Sequence, residues 1–246
     1  MNDVQGPYGD SEETPKELQR HNRAINAPAA VLWLIAVLVA IHAVRQGIDP
    51  RLDRWVLFTF GFIPVRMSVP QVIFPGPWWT FLTHALLHAD WVHLIINSVW
   101  MLAFGSVLAR RLGSVRFVLI SAAAAVAGAA ANLAWHWGEL TILIGASGAI
   151  SGQLAGAVRL MFAEGGSLST LGQQRFDRVQ ALGLAETFLT PGALMFLGVW
   201  FAITIFAGAV SFGAPGEAAR IAWEAHVGGF LAGLALFGLF DRGPRG

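Results

Sequence analysis

Six apolar stretches divide the chain, at about 27–44, 91–108, 115–135, 147–162, 189–210 and 221–240. The first, with AAVLWLIAVLVAIHAV at its core, is long enough with flanking help to cross a hydrocarbon layer about 30 Å thick as an α-helix. The other five read as spans in the same way. Two intervals break the pattern. Residues 45–80 carry Pro64, Pro70, Pro75 and Pro77 among many aromatics, too apolar for a free loop and too broken for a span. They predict a structured element lying in the interface, with Leu52–Phe60 a short amphipathic helix. Residues 163–186 are polar and predict a solvated cytoplasmic loop. The resulting division is a disordered cytoplasmic tail over 1–26, a six-span all-α membrane domain over 27–241 and a short tail over 242–246.

Composition sharpens this picture. The chain is 55% hydrophobic and 13% charged, with a mean hydropathy of +0.59. That charged fraction is about half the soluble average, as a multi-span membrane protein requires. A net charge of +1 points to neither nucleic acid nor an acidic ligand. Cysteine is absent, which excludes disulfides, a thiol nucleophile and thiolate metal sites. Ten Trp and 17 Phe suit interfacial belts and lipid-facing surfaces. Eleven of the 16 Lys and Arg fall in the amino-terminal tail, the 109–116 turn, the 159–189 linker and the carboxy-terminal tail. Positive charge favours the cytoplasmic side, so both termini are expected there. The second, fourth and sixth spans then all enter from the external side.

Those three spans carry polar residues early: His93 and Asn97, Ser147, and His226. Ionisable groups inside a span are expensive and need a partner or a water-filled cavity. Ser147 lies at a predicted helix start, where unpaired backbone N–H groups favour a developing anion. The ordinary role of a Gly/Ser/Ala-rich helix start is packing, and Gly148, Gly152 and Gly156 form such a column. Ala225, Gly229 and Gly233 repeat the spacing around His226, so the two helices can pack closely and bring an imidazole to the Ser147 hydroxyl. Serine needs a base to become a nucleophile at neutral pH, and imidazole suits that task. His93 and Asn97, four apart, share one helix face. With the Ser147 N–H they can hold an oxyanion. Glu224, two residues from His226, faces another way, and Glu139 in the preceding loop is within conceivable reach. Neither is required, so the chemistry is that of a Ser–His pair.

THALLHADWVHLIIN, GASG and AHVGGFLAGL, in this order on spans two, four and six, resemble the rhomboid family of intramembrane serine proteases. The resemblance covers about Trp79 to Phe240. It implies a six-helix rhomboid-like bundle in the cell (inner) membrane, with a site opening outward. It implies Ser147 as nucleophile, His226 as general base, His93 and Asn97 as oxyanion residues, and Gly145 as the loop glycine that lets backbone approach the scissile bond. The implied partners are transmembrane protein substrates and the lipid bilayer, with no metal or cofactor and no nucleic acid. The sequence departs from the family at Trp79-Thr80, where many members have Trp-Arg. It also has Ser151 where some bacterial members stack a Tyr on the catalytic histidine, which leaves open what orients His226.

Other polar residues have structural readings: His42 interfacial, Asn132 in an interhelical hydrogen bond, and His84, His88 and Asp90 structural rather than a zinc set. Two rival functions remain: a non-catalytic rhomboid-fold protein binding membrane clients, and a small proton-coupled transporter. Loss of the serine or histidine would mark the first, and both are present. Polar residues on both sides of the midplane would mark the second, whereas here they gather toward one side.

Overall fold

A computed structural model describes residues 27–68, 77–166, 176, 178–209 and 222–244. The amino-terminal tail and the SFGAPGE loop lie outside the described residues. The longer helices are α1 (Ala29–Gly47), α2 (Pro50–Phe60), α5 (Trp91–Leu112), α6 (Ser114–Trp135), α7 (Ser147–Met161), α9 (Pro191–Ala209) and α10 (Trp223–Phe240). Short helices α3 (Val65–Ser68), α4 (Thr80–Thr83) and α8 (Leu184–Leu189) and a 3-10 turn, His84–Leu86, complete the described set. Four of these, α1, α5, α6 and α10, are long and apolar enough to cross a membrane. Their outer faces expose Trp33, Val92, Ile95, Val115 and Leu239, as lipid contact requires.

Local sequence explains the boundaries. Asp49 caps α2 by accepting from the Arg51 N–H at 2.8 Å, with Pro50 preset for the first turn. Asp90 caps α5 by accepting from the His93 N–H at 2.8 Å. Gly113, at φ +80°, reverses the chain between α5 and α6. Thr190-Pro191 separates α8 from α9, because proline opens a helix but cannot continue one. A π-helical segment, Met101–Gly105, interrupts α5 midway.

The core is a junction of α6, α7 and α10. Thirteen of the 15 residues of α7 are buried, so it is the central post of the bundle. At ~1.5 Å per residue it is only about 22 Å long. Small residues set its separation from its neighbours. A methyl group on Gly229 or Gly233 of α10 would run into the backbone of Gly148 or Gly152 of α7. One on Gly128 of α6 would stand 2.8 Å from the Ala225 carbonyl of α10. Two helices thus meet α7 backbone to backbone, as the small-residue spacing predicts.

The 45–80 interval holds a short helix close to the expected one, α2, and is tied down. The buried Arg45 guanidinium donates to Asp53 Oδ1 at 2.7 Å and to the His88 carbonyl at 2.7 Å. His42 is fully buried, edge-on to Trp91 with ring centroids 4.6 Å apart. The 163–186 linker, expected as a solvated loop, exposes Glu164, Arg178, Gln180 and Glu186 but is anchored at Phe176 and Val179. Phe176 is fully buried, and the carbonyls of Phe176 and Val179 accept from Arg111 Nη1 at 3.0 and 2.8 Å. The same guanidinium grips Asp241 with two hydrogen bonds, of 2.6 and 2.9 Å. A buried arginine must fill its five donors, and the linker backbone supplies acceptors that the helices cannot.

Gly229→Ala is expected to destabilise by about 1–3 kcal/mol or more, because backbone cannot move aside for the new methyl. The unfolding midpoint in detergent then falls by several degrees. Gly238→Ala, with nothing within 4 Å of the added carbon, is the control, and its midpoint stays within roughly 2 °C of the parent. Equal midpoints for the two variants would contradict the close helix contact.

Candidate active site

The loop before α7 is tied to the element that follows α2. Phe62 and Leu143 exchange backbone hydrogen bonds of 3.1 and 2.8 Å, and the Val65 N–H donates to the Glu139 carbonyl at 3.0 Å. The Thr83 hydroxyl donates to the Phe60 carbonyl at 2.7 Å, and Trp79 Nε1 to the Thr59 carbonyl at 2.9 Å. Thr80, the residue that departs from the Trp-Arg pattern, is fully buried and donates to the Pro77 carbonyl at 2.6 Å. The Gly145 N–H then donates to the His84 carbonyl at 3.0 Å.

Gly145 adopts φ +121°, a conformation that residues with side chains rarely take. It is needed for space as well. A carbon added there would sit 2.8 Å from both Cε1 and Nε2 of His93 and 3.8 Å from Ser147 Oγ. His93 and Ser147 therefore face one point, over the bare backbone of Gly145. Ser147 is the first residue of α7, and no side chain caps that helix start, so its first N–H groups are unclaimed by a cap. Ser147, His93 and His226 are each half-buried, and Asn97 is buried. Asn97 Nδ2 donates to the His93 carbonyl at 3.0 Å, one turn back, which leaves its second N–H for another acceptor.

His226 enters from the first turn of α10, one residue beyond Ala225, whose carbonyl lies against Gly148. The residues flanking Ser147 and His226 are thus in backbone contact. No hydrogen bond joins the Ser147 hydroxyl to the imidazole among the described residues, and His226 Nδ1 is buried without a partner. Nucleophile–base hydrogen bonds commonly tighten only when substrate is bound. Ser151 does not substitute for the stacking Tyr, since its hydroxyl donates to the Ser147 carbonyl at 2.7 Å. The ring beside His226 is Trp200 of α9, with centroids 6.2 Å apart. The sequence pattern did not single out this residue, and no local signal could have, because it depends on how α9 docks.

The remaining polar residues divide clearly. Glu139 accepts from His136 Nδ1 at 2.7 Å, so its carboxylate is engaged by that ring. Asn132 makes its interhelical hydrogen bond, to Glu224 at 2.7 Å. His84, His88 and Asp90 do not converge as a ligand set among the described residues. His84 Nδ1 pairs with the Thr80 carbonyl at 2.9 Å, while His88 packs edge-on to His93 at 5.1 Å between centroids. Burial lowers the pKa of His84 from 6.5 to about 4 and that of His88 to about 3, the latter helped by nearby His93, His42 and Arg45. Both rings are neutral at pH 7. They act as scaffold beneath the loop.

Comparison with known proteins adds the following. A Rhomboid domain is matched over residues 75–242, most of the chain. The rhomboid-family protein YdcA of Bacillus subtilis (strain 168) is 39% identical over 130 residues, 52% of this chain and 56% of that protein. The rhomboid protease GluP of the same organism is 37% identical over 84 residues, 34% of this chain and 16% of that protein. The chain thus covers about half of the first relative and a small part of the second.

The two depressed histidines set an acid limit. The unfolded chain binds their protons near pH 6.5 and the folded chain only near pH 4 (His84) or pH 3 (His88). Stability is therefore complete above about pH 6.5 and lost as pH falls below it. Each contributes a slope of up to about 1.4 kcal/mol per pH unit. The unfolding midpoint in detergent should drop between pH 7 and pH 5, less steeply in His88→Leu. A midpoint that holds steady across that range in the parent would contradict this assignment.

Proposed function

Starting from a chain that belongs to the rhomboid family, we propose that it is an intramembrane serine endopeptidase acting on peptide bonds in or beside transmembrane segments of other membrane proteins. The observation that carries this is the convergence at the start of α7: Ser147 and His93 face one point over Gly145, and the His226 turn packs against Gly148. The family match and the protease relative GluP support the same chemistry.

In this reading Ser147 Oγ attacks the scissile carbonyl carbon while His226 accepts the hydroxyl proton. The carbonyl oxygen, now an anion, is held by the Ser147 N–H, His93 and Asn97. Collapse breaks the C–N bond, and His226 returns the proton to the leaving amine. Water then attacks the acyl-enzyme, with His226 again as base. The carbonyl must leave its own helix to reach the serine, which favours small or helix-breaking residues near the cut. In this reading α7 and α9 join the four long apolar helices as crossings and both termini are cytoplasmic, so the site opens outward, and its half-buried side chains need a hydrated cavity. The clustering of polar groups at one end of the bundle argues against a proton relay through the midplane. The intact serine and histidine argue against a client-binding protein without catalysis.

Ser147→Ala and His226→Ala are each expected to abolish cleavage of a model single-span substrate in proteoliposomes, with turnover down by about 10⁶-fold. Normal turnover by the serine variant ends the mechanism. Asn97→Ala leaves two donors in place and should lower kcat by about 10²–10³-fold. An unchanged kcat removes that amide from the oxyanion site.

A further inference from the structure

At the external ends of α6 and α10 lies a polar cluster that the proposed reaction does not use. Glu224, the second residue of α10, is 5% exposed. Its Oε1 accepts from Asn132 Nδ2 of α6 at 2.7 Å, and His136 Nε2 stands 3.4 Å from the same oxygen. His136 Nδ1 in turn meets Glu139 at 2.7 Å. The rings of Trp135 and Trp223, each next in sequence to a member of this cluster, meet edge to face with centroids 4.9 Å apart. A buried carboxylate is costly unless it is paired, and here the pairing runs from one helix to another.

Two residues further on is His226. Residues two apart on a helix point about 200° away from each other, so Glu224 cannot touch the imidazole when it faces α6. The imidazole nevertheless lacks a hydrogen-bond partner at Nδ1, and Ser151 is committed to its own helix. Its position is therefore inherited from the first turn of α10. No side chain caps that turn at Ala222. It is gripped on one side by the glycine contacts with α6 and α7, and on the other by Glu224. Glycine contacts fix how near the helices stand. They also fix which face of α10 meets its neighbours, but they carry no directional bond at its uncapped first turn. The Asn132–Glu224 hydrogen bond is directional and lies at the same end.

We infer that Glu224 is a positioning residue: held by Asn132 and His136, it sets the rotation of the first turn of α10 and so the approach of His226 to Ser147. This rests on the protease reading above. A misplacement of about 1 Å in a reacting group can cost about 10²-fold in rate.

The test uses the full chain in proteoliposomes with a single-span substrate, and fluorophosphonate labelling mapped to residue. Glu224→Ala should lower kcat by about 10–100-fold with KM within about twofold, and slow labelling of Ser147 in parallel. Asn132→Asp, which sets two carboxylates against each other, should do the same. The pair Asn132→Asp with Glu224→Gln restores one donor and one acceptor in exchanged places, and should recover kcat to within about fivefold of the parent. Glu224→Ala that labels and turns over like the parent overturns the inference. So does a double variant no faster than Asn132→Asp alone, or losses that merely follow the unfolding midpoint. A parent chain that neither cleaves nor takes label at Ser147 sinks the protease reading itself, and the positioning role with it.

Discussion

Contact between helix backbones, with no side chain between them, governs this molecule. Gly229 and Gly233 of α10 sit directly on Gly148 and Gly152 of α7, and Gly128 of α6 admits the Ala225 carbonyl. In a bilayer the lipid tails are as apolar as leucine, so burying large side chains gives little drive for helix association. Close van der Waals approach has to supply it. The same contacts fix the distance between the Ser147 and His226 turns. Packing and the proposed chemistry are consequences of one set of glycines.

A second layer of interactions adds direction to that closeness. Arg45 ties α1 to α2 through Asp53 and to the His88 carbonyl. Arg111 binds Asp241 and the backbone of the 176–179 stretch. Asn132 and His136 converge on Glu224. Each involves a charged group that is largely buried and satisfied by a partner distant in sequence. In a low-dielectric surround such groups are costly alone and firm when paired. The half of the molecule around Ser147 is thus an orderly scaffold: Phe62 pairs with Leu143, Gly145 hangs from His84, and the neutral rings of His84 and His88 lie beneath.

Much of this was legible along the chain. Apolar length marked the helices to within a few residues, since span length follows from membrane thickness and helical rise. The glycine columns at 148, 152 and 156 and at 229 and 233 announced a close contact, because four-residue spacing places residues on one face. The order of the three polar motifs named the family, and the matched Rhomboid domain agrees. Less legible was the polar 163–186 linker, whose charge read as solvation although Phe176 is fully buried. Composition reports what a segment would do in water and is blind to a buried guanidinium seeking acceptors.

The sequence by itself determined the helices and the small-residue faces, and it singled out the residues proposed to react, for all of these depend on neighbours one to four positions away. Tertiary structure alone decided which partners those residues meet. Glu224 turned to Asn132, 92 positions earlier, while Glu139 went to His136. His226 was left with Trp200 beside it and an open Nδ1. Pairing across helices is set by their rotation and separation, and those are collective results of packing that no local pattern records.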